Sequence, residues 1–403
     1  MSKKQIKTPL PTGEYAVGVF TYTVHNDREE TMYNALGTMR SIPVKVYYPA
    51  AKESVKGLTK ARYMSKATID AIRKNFYVPI KYEKVESDGT NRSECYENAP
   101  FIEGERFPLI LFNYGYGSFL EANTYLLIEL ASHGYVVASV GHPYEGMITE
   151  FDDGTTLKMA KGIASKAYSP MLPSIIALLK LQKAKGTNEE LWAMFDAVQK
   201  KYNRFIIERL PEWKLDTKAA LRVLKDKYSR MIDLENGIGV TGHSMGGATA
   251  FELCEDEPET FTCGINIDGG LFGIHDGKVI TTPFLQMSSD ANKTAVTVAF
   301  VKNKNVAYHA ILRDMQHLGF SDLKHVIPLK SQVGKLDPDI AHKTVCDIHL
   351  EFFDAYLKKA KTRPSLESND AVTITEYEPH YGQGRIKDGS VNSKRSLRGY
   401  SGS

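Results

Sequence analysis

Cysteine is scarce in this chain: 403 residues hold only Cys95, Cys254, Cys263 and Cys346, widely scattered and with no CxxC pair. That excludes a disulfide framework and a thiolate zinc site, and leaves buried free thiols as the expected state. Net charge is also small. Lys and Arg total 51 against 48 Asp and Glu, a formal +3, too little for a nucleic-acid surface, and no aromatic-plus-basic RNA motif is present. No run of about 18 apolar residues occurs, which excludes a spanning helix. The opening MSKKQIKTPLPTGEY has basic residues with no apolar core behind them, so it does not read as a secretory signal. A cytoplasmic location is expected, or a secreted one if a leader precedes this sequence. No internal repeat is found.

What is present is ordinary globular composition, 42% hydrophobic and 25% charged, enough to bury a large core. A single domain over residues 1–363 is expected, with insertions at about 52–100 and 165–228 and a polar tail at 364–403. The first insertion contains the densest basic stretch, Lys56, Lys60, Arg62, Lys66, Arg73, Lys74, Lys81 and Lys84. A solvated face is the plain reading and contact with anionic lipid the sharper one.

Hydrophobic rhythm sets the fold class. Residues 17–23 and 42–48 alternate and are β-branched, as antiparallel edge strands do. From Phe107 the pattern changes to short continuous apolar runs. Pro108-Leu109-Ile110-Leu111-Phe112-Asn113 is followed by a Gly-rich turn, a helix over 124–133 and the run Tyr135-Val136-Val137-Ala138-Ser139-Val140. Strand, helix, strand at that spacing is a βαβ unit of a parallel sheet. Helices are expected at 171–183, 188–202 and 217–228, with Pro211 interrupting, as a cap or flank where substrate selection tends to lie. Further strands follow at 238–241, 263–267, 283–287 and 307–312, and a last helix at 338–358. The expected class is α/β, with a mostly parallel central sheet flanked by helices, N-terminal antiparallel strands and a helical insertion.

Gly242-His243-Ser244-Met245-Gly246 fits G-x-S-x-G and stands between the strand 238–241 and an Ala-rich helix, the context the motif requires, so the expected fold is that of an α/β-hydrolase. Such a serine occupies a strained turn crowded on both sides, at a helix N-terminus that favours negative charge. A serine hydroxyl needs a base, and the base an orienting carboxylate. In this fold the order is serine, acid, histidine. Of the histidines at 275, 309, 317, 325, 342, 349 and 380, His317 follows the last strand, where the fold carries its base. His309 lies within that strand, while His342 and His349 fall on the terminal helix. Two acids stand at strand ends, Asp268 and Asp290, and topology leaves both open; Asp314 and Asp322 are too near His317 in sequence. An oxyanion hole needs two backbone N–H groups. One is expected from Met245, and the other from the loop Tyr114-Gly115-Tyr116-Gly117-Ser118-Phe119. Phe119, Leu271, Phe272 and Leu318 are neighbours for lining a pocket or filling a core.

Over about residues 13–358 the chain resembles the platelet-activating-factor acetylhydrolase family, calcium-independent lipase-like esterases of plasma and intracellular type with bacterial relatives. The resemblance rests on Gly13-Glu14-Tyr15-Ala16-Val17-Gly18, Val46-Tyr47-Tyr48-Pro49-Ala50, Leu130-Ala131-Ser132-His133-Gly134-Tyr135, Gly242-His243-Ser244-Met245-Gly246-Gly247, Cys263-Gly264-Ile265-Asn266-Ile267-Asp268-Gly269 and His317-Leu318-Gly319-Phe320-Ser321-Asp322. It implies Asp268 as the acid and Tyr116 as the second N–H donor. It also implies a small-molecule ester with a short acyl group as substrate, phospholipid-type esters included, with no metal or organic cofactor. Where the family usually has Ser-His-Gly, this chain has Asn113-Tyr114-Gly115, which keeps the backbone donor and alters the wall beside it. Three rivals stand beside this reading: a cutinase-like or dienelactone-hydrolase-like esterase with Asp290 as acid, a lipase acting at membranes, and a non-enzymatic binding protein on a hydrolase scaffold.

Overall fold

A computed structural model describes residues 8–30, 38–162, 166, 169–181, 183–271, 279–289, 300, 303–327 and 330–379. The alternating N-terminal segments form β1 (Ala16–Glu29) and β2 (Met39–Ala50), antiparallel from Ala16 opposite Ala50 to Val24 opposite Ile42. They are not edge strands. The first insertion folds as β3 (Lys60–Arg62), α1 (Lys66–Phe76), α2 (Tyr82–Ser87) and β4 (Arg92–Glu97), and β4 pairs with β1. An unpaired strand edge invites association, and here the insertion covers it. The insertion's cations have local partners: Lys60 with Glu94, Lys66 with Asp70 and Glu83, Lys84 with Asp88.

The apolar runs form the parallel centre: β5 (Phe107–Asn113), β6 (Val136–Val140), β10 (Ile238–His243), β11 (Phe261–Ile267), β12 (Phe284–Ser289) and β13 (Ala307–Leu312). Two small elements, the hairpin β7 (Ile148–Glu150) with β8 (Thr156–Lys158) and the short β9 (Ile232–Asp233), intervene in sequence. Across the sheet the order is β13, β12, β11, β10, β5, β6, all parallel, then antiparallel β2. Alternation is invisible in these strands because both faces are covered. Ile110 and Phe112 face one apolar core with Leu127 and Phe352, while Leu109 and Leu111 face another with Leu221, Leu224 and Phe251.

Two expectations need correction. Pro211 does not interrupt a helix: after α4 (Met171–Leu181) and α5 (Asn188–Tyr202), α6 runs unbroken over Arg204–Lys227 with the proline inside. An interior proline costs about 3 kcal/mol. Here Leu210 and Trp213 on either side of it are fully buried, and large apolar side chains contribute about 1.5–3 kcal/mol each, enough to offset that cost. Nor is everything beyond 363 a tail. The β-branched run Val372–Tyr377 forms β14, antiparallel to β13 with Leu312 opposite Val372. Three further helices pack on the sheet, α3 (Thr124–Ser132), α7 (Met245–Asp256) and α8 (Pro338–Tyr356). No helix among the described residues is long and apolar enough to cross a membrane.

Candidate active site

The C-terminal ends of β5, β10, β11 and β13 converge. Ser244 follows β10 directly and caps α7 with φ 57° and ψ −120°, a backbone state costly for a side-chain-bearing residue and stored here by its surroundings. Its N–H donates to Ile267 O at 2.8 Å, tying it beside the end of β11. Gly246 shows why the motif needs glycine: a Cβ there would lie 2.0 Å from Asn113 O. Gly115, in the loop after β5, approaches so closely that a Cβ would meet Ser244 Cβ at 2.9 Å. Met245 is the first residue of α7, so its N–H has no partner within the helix. Tyr116 stands in that same loop with its ring edge-on to Phe205.

Asp268 follows β11 in the left-handed region at φ 50° and is 5% exposed. Its Oδ2 lies 2.7 Å from His317 Nδ1. Its Oδ1 accepts the Ser289 N–H at 2.8 Å and the Ser289 hydroxyl at 3.1 Å. Burial pushes this carboxyl up, but the hydrogen bonds and charge of His317 and the Ser289 N–H outweigh it and hold the carboxyl below its ordinary value. Asp290 and Phe272 lie outside the described residues. His317 opens a short 3-10 turn after β13, with its side chain about half exposed. His243, the second residue of the motif, donates from Nε2 to His317 O at 3.0 Å, with the two rings 4.6 Å apart. Burial and then the neighbouring His317 push His243 down to about 3, so it remains a neutral support for the loop. Sequence reasoning missed both Ser289 and His243's role. Ser289 is a strand-end serine one residue before the rival acid, and nothing in its spacing marks it.

Phe119 and Leu271 are buried in separate apolar clusters, and Leu318 packs at the edge of the one containing Phe119. Among the described residues no group of three or more His, Cys, Asp or Glu side chains is arranged to hold a metal ion. All four cysteines are free and buried.

The His317 loop is anchored by Asp322, whose N–H donates to Ala122 O at 2.8 Å and whose Oδ2 accepts the Tyr63 hydroxyl at 3.0 Å and the Tyr125 N–H at 3.1 Å. Burial raises its carboxyl to about 7. In the unfolded chain it would ionise near pH 4. Between those values the folded state holds the extra proton, so this group's contribution to stability falls as pH rises, by about 1.4 kcal/mol per unit. Asp322→Asn keeps both acceptor contacts and removes the titration. In urea unfolding, the variant is expected to lose less stability than the wild type between pH 4.5 and 7.5; equal losses would remove the assignment.

A parallel sheet with a strained serine between strand and helix, and an Asp–His pair from two later strand ends, defines an α/β-hydrolase. Within that class, the chain belongs to the family described as "Platelet-activating factor acetylhydrolase, isoform II", which matches residues 1–371. Curated relatives carrying the name platelet-activating factor acetylhydrolase include the Cavia porcellus protein, 24% identical over 295 residues, covering 70% of this chain and 65% of that one. The Canis lupus familiaris protein is 30% identical over 44% of this chain and 38% of its own length. The Gallus gallus protein is 24% identical over 92% of this chain and 78% of its own. The chain thus spans less than two thirds of the first two relatives. Among solved structures, a ferulic acid esterase from Streptomyces cinnamoneus superimposes with a TM-score of 0.62 at 20% identity, over 91% of this chain and 98% of that one, a likeness of fold.

Proposed function

We propose that the chain is a serine carboxylic-ester hydrolase for small-molecule esters with a short acyl group. The observation that carries this reading is the pairing of His317 Nδ1 with Asp268 Oδ2 at 2.7 Å, together with a serine held at φ 57° on a helix N-terminus. Because the Asp268 carboxylate only accepts, His317 carries its proton on Nδ1 and presents a bare Nε2 as base. Ser244 attacks the ester carbonyl as His317 takes its proton. The N–H groups of Met245 and Tyr116 hold the oxyanion, and His317 returns the proton to the leaving alcohol. Water, activated by the same imidazole, then releases the acid. Asp268 stays ionised throughout and orients the imidazolium.

The local ion pairs of the basic insertion favour a solvated face there over contact with lipid. The short-acyl assignment follows the family and is tested by p-nitrophenyl acetate, butyrate and octanoate. The expected order of kcat/KM is acetate or butyrate above octanoate by at least about tenfold, since each methylene a pocket accepts or rejects changes the barrier by about 1 kcal/mol or more. An octanoate preference would reject the short pocket while leaving the serine mechanism standing.

A further inference from the structure

Behind the loop 114–118 lies a fully buried polar chain that the esterase mechanism does not use. His142, just past β6, stacks on Trp213 with ring centroids 3.7 Å apart. Its Nδ1 is 2.9 Å from Asp216 Oδ2, and its Nε2 is 3.1 Å from the Asn113 side-chain amide. Asp216 already accepts Arg40 Nε and Nη2 at 2.8 and 2.6 Å and Arg28 Nη2 at 2.8 Å. Arg40 also reaches Glu30 and Glu145, and Arg209 joins the same two carboxylates.

Proton counting fixes the state of this chain. Held by two guanidiniums, the Asp216 carboxylate only accepts, so Nδ1 of His142 carries a proton. Full burial opposes a second proton on the ring and, with Arg40, outweighs the attraction of Asp216 and Glu145, so Nε2 is a bare acceptor. With Asn113 Oδ1 turned toward it, two lone pairs would face each other and Asn113 Nδ2 would be buried with no partner among the described residues. Thr217 Oγ1 lies 2.7 Å from the same amide oxygen and 2.8 Å from Trp213 O, with one proton for the two acceptors. A half-turn of the amide resolves both conflicts, with Nδ2 donating to His142 Nε2 and to Thr217 Oγ1. The next residue is tied to the same histidine: His142 N–H donates to the Tyr114 hydroxyl at 2.7 Å, and that hydroxyl donates to His142 O at 3.3 Å.

We propose that His142 is a positioning residue: neutral, with its Nδ1 proton on Asp216, it holds residues 113 and 114 and so sets the Tyr116 N–H against the developing oxyanion. This rests on the esterase reading of the site. It also gives a reason for Asn113-Tyr114 at this strand end, since the Asn113 amide meets the imidazole and the Tyr114 hydroxyl meets the main chain of His142.

The test is 15N spectroscopy of the full-length chain labelled at histidine, with the His142 signals identified by their loss in His142→Gln, together with kinetics of Asn113→Ala, His142→Gln and the double variant. Near pH 7 the spectrum is expected to give His142 one protonated and one bare nitrogen, with Nδ1 protonated. Two protonated nitrogens, or a proton on Nε2, overturns the proposal and does so whatever the esterase assays give. Removing an oxyanion donor costs about 10²–10³ in kcat, and misplacing one costs less. Each single variant is therefore expected to lose about 10- to 100-fold in kcat with KM within about threefold, and the double variant no more than the worse single one. A folded Asn113→Ala with wild-type kcat, or a loss expressed only in KM, contradicts it. Were that variant to unfold, the wild-type spectrum would still decide.

Discussion

Ser244→Ala is expected to lower kcat on p-nitrophenyl acetate by about a million-fold while leaving the melting temperature and KM near those of the wild type. The reasoning is local. Gly115 lies against Ser244 Cβ, and alanine keeps that atom, so neither a cavity nor a clash arises. The N–H groups at the start of α7 and in the loop after β5 stay where they are, so ground-state binding persists. What is lost is the nucleophile, and with it the acyl-enzyme route. A fall in kcat of less than about tenfold, in a variant as stable as its parent, would mean that another group attacks the ester.

Asp268→Asn is expected to cost about 10⁴ in kcat, and the structure gives the reason. Asp268 Oδ1 accepts both the N–H and the hydroxyl of Ser289. In asparagine only the oxygen can occupy that position, which turns the NH₂ group toward His317 Nδ1. The imidazole must then accept at Nδ1 and carry its proton on Nε2, which can no longer act as a base. Parallel assays of Asp290→Asn are expected to stay within about threefold of wild type. If Asp290→Asn loses 10⁴ and Asp268→Asn does not, the carboxylate assignment reverses. The depressed carboxyl of Asp268 also has a stability sign: its contribution is present above the unfolded value near pH 4 and is lost as pH falls through the lower folded value.

Much of this was legible before any coordinates. β13 was bounded correctly at 307–312 because a buried parallel strand leaves a continuous apolar run. The serine turn was legible because G-x-S-x-G between strand and helix is a steric requirement, and Gly246 against Asn113 O is that requirement in atoms. What stayed hidden depends on partners distant in sequence. Pro211 read as a break because local propensity cannot register the burial of Leu210 and Trp213 on either side of it. The Arg40, Asp216 and His142 chain joins residues up to 176 apart, and each member alone passes for an ordinary surface or loop residue. The choice between Asp268 and Asp290 could not be made from spacing, since both end strands; the resemblance favoured Asp268, which in the structure sits beside His317.

The central claim is that Ser244 forms a covalent acyl-enzyme, and it is most directly tested by reacting the intact chain with a fluorophosphonate ester and locating the adduct by peptide mass spectrometry. The account predicts one adduct per chain, on Ser244, with esterase activity lost in proportion and no labelling of Ser244→Ala. An adduct on a different residue that tracks the loss of activity, or full activity after Ser244 has been labelled, would contradict it.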